Sequence, residues 1–148
     1  MHKTLLAIAI LANAASAQAR LPVIVPLSRQ PAPPALTGID ALRAEFAAQS
    51  GGTTVYFGSG SAQLGGPATA VLQAQAMWLR RHPEITVRVE GHADPGDTRD
   101  HALAVGARRA EEVRNYLILL GVPAAQLSAT SWGKERPGAG RAVTVLVQ

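Results

Sequence analysis

The chain has 148 residues, with 14 lysines and arginines against 10 aspartates and glutamates, a net charge of +4 and no cysteine. That length suits one core with a tail rather than two domains. The missing cysteine excludes disulfides, thiolate nucleophiles and Cys-ligated zinc. A mild basic excess without a basic stripe speaks against nucleic acid as a partner.

In chain order, the first segment reads as an address. His2 and Lys3 precede an apolar run from Leu5 to Leu11, and two small-residue sites follow, Ala15-Ser16-Ala17 and Ala17-Gln18-Ala19. This is the pattern of a cleaved signal peptide over residues 1–19, which predicts an exported, periplasmic protein. The apolar run is far shorter than the roughly 20 residues a membrane span needs, so the mature chain is expected to contain none. Residues 20–52 read as a linker followed by a short helix. Pro22, Pro26, Pro31, Pro33 and Pro34 rule out a helix or central strand there. Thr37 to Gln49 then has helical spacing, with Thr37 or Asp40 as cap and Ile39, Leu42 and Phe46 on one face. Ser50-Gly51-Gly52 ends that helix and places the start of the globular domain, residues 53–148, at Thr53.

Thr53 to Phe57 is β-branched and aromatic, as a strand requires. After the loop Gly58-Ser59-Gly60-Ser61, Pro67 opens a helix that ends at Arg81 before Pro83, with Val71, Leu72, Gln75, Trp78 and Leu79 as its inner stripe. Ile85, Val87 and Val89 alternate with polar residues in a second strand. The spacing predicts a long helix from Thr98 to Leu120, with Leu103, Ala107, Ala110, Val113, Leu117 and Leu120 facing the core. Gly121 and Pro123 stop it. Leu127 to Trp132 and the alternating Val143, Val145 and Val147 supply two more strands. The expected fold is an α/β two-layer sandwich in the order β-α-β-α-β-β, a mixed sheet of about four strands with two main helices on one face.

Chemistry concentrates in Gly91-His92-Ala93-Asp94 and in Ala107-Arg108-Arg109-Ala110 on the next helix. A carboxylate at a strand end and a guanidinium one to two turns into the following helix suit a zwitterion. Asp94 would hold an ammonium, and Arg109 a carboxylate through two parallel N–H bonds. These segments resemble the OmpA-like peptidoglycan-binding domain. The likeness extends through Val55-Tyr56-Phe57, Val87 to Asp94, Val105 to Val113, Tyr116-Leu117, Gly121-Val122 and the turn Ser131 to Pro137. It implies non-covalent binding of the peptidoglycan stem peptide, with Asp94 and Arg109 on its diaminopimelate residue, and a role in anchoring the envelope. It further implies that Val105 lines the ligand's apolar stem, that Phe57 borders the site, and that Arg141 represents one arginine of a family pair. No cofactor follows from it. The proline-rich tail would be a spacer, with an envelope or outer-membrane protein as a possible partner.

The chain departs from the family pattern at Ser59 and Gly60, where an aromatic and an acidic residue are usual. It departs again at Ala102, in place of a loop-ordering Asn, and at the short Gly138-Ala139-Gly140. It also lacks the lipid-attachment cysteine of the lipoprotein branch.

Other readings of the same residues stay open at this level. Asp94 and Arg109 also suit a purely structural ion pair. Val105 and Phe57 also suit core packing, and His92 a packed histidine. His92, Asp94, Asp97, Asp100 and His101 crowd one loop, and such a set could take zinc in a metal-dependent wall enzyme, although the spacing matches no standard site. Carboxylates at a helix start have a plainer reason in the macrodipole. No Gly-x-Ser-x-Gly elbow or complete phosphate loop is present. A domain that has lost its ligand and serves as a protein-interaction surface is the remaining alternative.

Overall fold

The computed structural model describes residues 38–136 and 140–147, which lie within one compact unit, Ala35–Gln148. The expected signal peptide, the proline-rich linker, the cap candidate Thr37, Pro137 and the first two residues of the altered Gly138-Ala139-Gly140 segment fall outside the described residues. The elements run α1 (Ile39–Gln49), β1 (Thr54–Tyr56), α2 (Gly66–Arg81), β2 (Thr86–His92), α3 (Arg99–Leu119), a 3-10 turn (Ala124–Gln126), β3 (Leu127–Gly133) and β4 (Arg141–Val147). The sheet order is β1-β4-β2-β3. β2 and β3 are parallel, and β4 runs antiparallel to both β1 and β2. This is the mixed four-stranded α/β sandwich that the alternation predicted.

The core forms where one sheet face meets the helices. Val55, Val87, Val89, Ala142 and Leu146 pack against Leu72, Ala76, Leu79, Val113 and Leu117. Two buried glutamines tie the layers with side-chain hydrogen bonds, mostly to backbone. Gln75 accepts from Thr144 Oγ1 (2.9 Å) and donates to Gly52 O (3.1 Å). Gln126 Nε2 donates to His82 O and Ile85 O, both at 2.9 Å. Both polar atoms of the Gln75 amide are thereby satisfied, as buried polar atoms generally are, whereas Gln126 Oε1 is buried without a partner.

Three differences from the sequence reading have physical causes. First, α1 belongs to the packed unit, so packing begins before Thr53. Phe46 is fully buried, its ring 5.0 Å from that of Trp78, and Trp78 Nε1 donates to Glu45 Oε1. Its N-cap is Gly38 with no side-chain cap bond, while Asp40 pairs with Arg43 at 3.1 Å.

Second, the inner face of α3 is Ala102, Val105, Gly106, Arg109, Ala110, Val113 and Leu117, whereas Leu103 and Ala107 are exposed. The helix turns Gly106 inward because it crosses β2 there with backbone almost touching, while Ala110, Val113 and Leu117 face the core as expected. A Cβ on Gly91 would overlap the Gly106 carbonyl, and one on Gly106 would overlap Ser131 Oγ. Third, the buried residues of β4 are Ala142, Thr144 and Leu146, and the alternating valines lie half-buried on the other face.

Candidate ligand-binding site

β2 ends at His92, and Ala93 N–H donates to Gly133 O (2.8 Å), which carries the chain straight off the sheet to Asp94. The following turn enters α3 at Thr98, whose side chain caps His101 N–H at 3.4 Å. The β3–β4 turn braces this loop. Lys134 Nζ donates to Asp97 O (2.6 Å), and Arg99 pairs with Glu135 at 3.0 Å.

Arg109 stands about three turns into α3, further than the sequence reading placed it. It still reaches the end of β2, because helical side chains lean toward the N-terminus and the Gly91–Gly106 contact brings helix and strand together. Its side chain is 0% exposed. Nη1 donates to His92 O (2.8 Å), Nε to Ser61 O (2.8 Å) and Nη2 to Gly58 O (3.0 Å). Nη2 also lies 3.6 Å from Asp94 Oδ2, and the guanidinium carbon sits 5.4 Å from the centroid of the Phe57 ring. Asp94 keeps 29% of its side chain exposed and accepts from Gly60 N–H at 3.2 Å.

The structure therefore brings Asp94, Arg109 and Phe57 together. Phe57 is half-buried, packs on the core and is fastened by its N–H to Gly140 O (2.7 Å). Val105 is buried in a small cluster with Ala93 and Ala102, beneath the loop rather than open to it. Ala102 is itself fully buried, so an Asn there would have to bury its amide. Arg141 pairs in register with Tyr56 on β1, and its charge acts on His92.

His92 is 3% exposed, with its Nδ1 unpaired. Burial lowers its pKa below the ordinary value of 6.5, the positive Arg141 and Arg136 add to that, and Glu90 opposes it. Beside it, Arg88 holds Glu90 at 2.8 Å while Arg136 stacks 3.5 Å over Trp132. Among the described residues no three His, Asp or Glu side chains converge as a metal site would need. Asp97 lies 3.9 Å from His101 instead.

The backbone groups of Gly58, Gly60 and Ser61 complete the site. Sequence reasoning missed them, because no side-chain type signals a carbonyl or an amide aimed at a partner.

Known proteins place the chain that carries this arrangement in a family. A profile described as OmpA family matches residues 56–145. A peptidoglycan-associated lipoprotein of Agrobacterium fabrum is 44% identical over 86 residues, covering 58% of this chain and 49% of that protein. The chain spans about half the length of such curated relatives. The crystal structure of the peptidoglycan-associated lipoprotein from Burkholderia pseudomallei superposes with a TM-score of 0.63 at 36% identity, over 66% of this chain and 92% of that one. The C-terminal domain of Helicobacter pylori MotB shares the fold alone, at 21% identity and a TM-score of 0.59, over 64% of this chain and 84% of that one. Through residues 56–145, the chain belongs to the OmpA family.

Proposed function

We propose that this domain is a non-catalytic module that binds peptidoglycan and anchors the cell envelope. Its ligand would be the stem peptide, with a diaminopimelate-type zwitterion held between Asp94 and Arg109. The observation that carries this reading is the partly exposed Asp94 carboxylate 3.6 Å from a guanidinium that donates to three backbone carbonyls. A rigid pair of opposite charges recognises a molecule carrying both complements and rejects one that leaves either charge unpaired. Relatives named peptidoglycan-associated lipoproteins support the same ligand class. Phe57 would border the zwitterion from the β1 side. Val105 would support the loop from below, and Arg141 would act through the electrostatics around His92.

The setting we infer is the periplasm, reached by a cleaved signal peptide. The proline-rich segment would lead to an envelope or outer-membrane partner. Among the described residues, no helix is long and apolar enough to cross a membrane.

Co-sedimentation with purified insoluble peptidoglycan tests this reading. Wild type should pellet and Asp94→Asn should stay in the supernatant. Equal pelleting of both would remove Asp94 from the site. One observation favours a second reading, a domain that serves as a protein-interaction surface, since no part of Arg109 is open to solvent. Wild type left in the supernatant would select that reading.

A further inference from the structure

We propose that the Gly58–Ser61 turn is a built-in occupant of the Asp94–Arg109 site, and that a zwitterionic ligand enters by exchanging with it. This inference rests on the binding role proposed above and concerns how that site selects and admits its ligand.

Nε and Nη2 form the side-on edge of a guanidinium, the pair of parallel donors that takes both oxygens of a carboxylate. Here that edge is filled by Ser61 O at 2.8 Å and Gly58 O at 3.0 Å. At the other pole Asp94 Oδ2 accepts Gly60 N–H at 3.2 Å, where an ammonium would donate. One four-residue turn thus offers two oxygens to the cation and one N–H to the anion. Without charges of its own, it presents the hydrogen-bonding pattern of a zwitterion.

The turn is also built to leave. Ser61 N–H closes it onto Gly58 O at 3.0 Å, and Gly60 sits at φ +63, so it is a compact unit that depends on glycine at one position. Gly58, Ser59 and Gly60 are exposed, and a Cβ at Gly60 would meet nothing within 4 Å. Swinging it outward uncovers no core. Its flanks stay tied by Phe57 N–H to Gly140 O and by the start of α2.

Selectivity follows from the exchange. A ligand must replace three hydrogen bonds made by neutral groups, and only charged groups make stronger ones at both poles. A neutral or amidated ligand gains too little to displace the turn. A free zwitterion gains at both ends.

Gly60→Ala separates exchange from a turn that stays put. An alanine at φ +63 strains the closed turn and costs nothing once it opens. We would titrate meso-diaminopimelate into wild type, Gly60→Ala and Asp94→Asn while following amide hydrogen exchange of residue 60. The expected result is binding by wild type, a Kd about fivefold lower for Gly60→Ala, and faster exchange at residue 60 on saturation. Binding by wild type with no gain for Gly60→Ala would overturn the exchange and leave the site intact. No binding by wild type or Gly60→Ala would overturn the site assignment and this inference with it.

Discussion

At Arg109, the fold and the proposed ligand share one side chain. Its guanidinium serves carbonyls of Gly58, Ser61 and His92, so Arg109→Ala strips partners from all three and leaves a cavity. The expected loss is about 3–5 kcal/mol, read as a lower midpoint in urea. Asp94→Asn keeps an acceptor for Gly60 N–H at a partly open position, and should cost under ~1 kcal/mol while removing the ammonium site. Under the proposed function, Asp94 is therefore the residue whose substitution would report on binding rather than folding. His92 makes a separate prediction. Its folded pKa lies below 6.5, so above that value both states are neutral and the group contributes no pH dependence. As pH falls below 6.5 the unfolded chain takes up the proton first, and stability drops until the folded pKa is passed. His92→Asn should flatten that slope in urea midpoints measured from pH 7 to pH 5. Asp94 and Arg109 were legible in the sequence because their chemistry lies in their side chains. Gly58, Gly60 and Ser61 were not, because they act through backbone that any residue carries. The burial of Val105 depends on which way α3 is turned, and that is settled by a contact between glycines.

That contact matters most among the elements. Gly91 in β2 and Gly106 in α3 let strand and helix approach until a single methyl would clash with backbone. Gly91→Ala should destabilise the domain by about 1–3 kcal/mol or more, since the Gly106 carbonyl has nowhere to move. Thermal unfolding would register the change. An apolar-stripe argument weighs residues by size and hydrophobicity, and so it turned α3 toward Leu103 and Ala107. The observed face keeps Ala110, Val113 and Leu117 from that stripe and adds Ala102, Val105, Gly106 and Arg109, of which Gly106 serves close approach and Arg109 reach. The inner stripe of α2 was legible because Leu72, Gln75, Trp78 and Leu79 recur at helical steps and all are buried. α1 was legible as a helix but not as part of the core. Its buried partner, Trp78, lies 32 residues downstream of Phe46, and no local pattern reports such a pairing. Phe46→Ala should cost about 3–5 kcal/mol by leaving a hole beside Trp78, visible in the near-ultraviolet dichroism.

For the whole molecule, the consequential feature is the strand order β1-β4-β2-β3. β4 comes last in sequence yet lies inside the sheet, the partner of β1 on one edge and of β2 on the other. Alternation identified four strands and their order along the chain. Their order across the sheet depends on pairing between segments as far apart as Val55 and Ala142, which no window of sequence contains. A chain ending at Gly140 should lose β1 from the sheet together with one edge of β2, and should lack cooperative unfolding by circular dichroism. The same placement bears on how a chain emerging N-terminus first from the ribosome folds. Until β4 has emerged, the sheet lacks its central seam, and the segments already out have no complete partner surface on which to condense. The strand order thus makes completion of the sheet a late event that waits on residues 141–147.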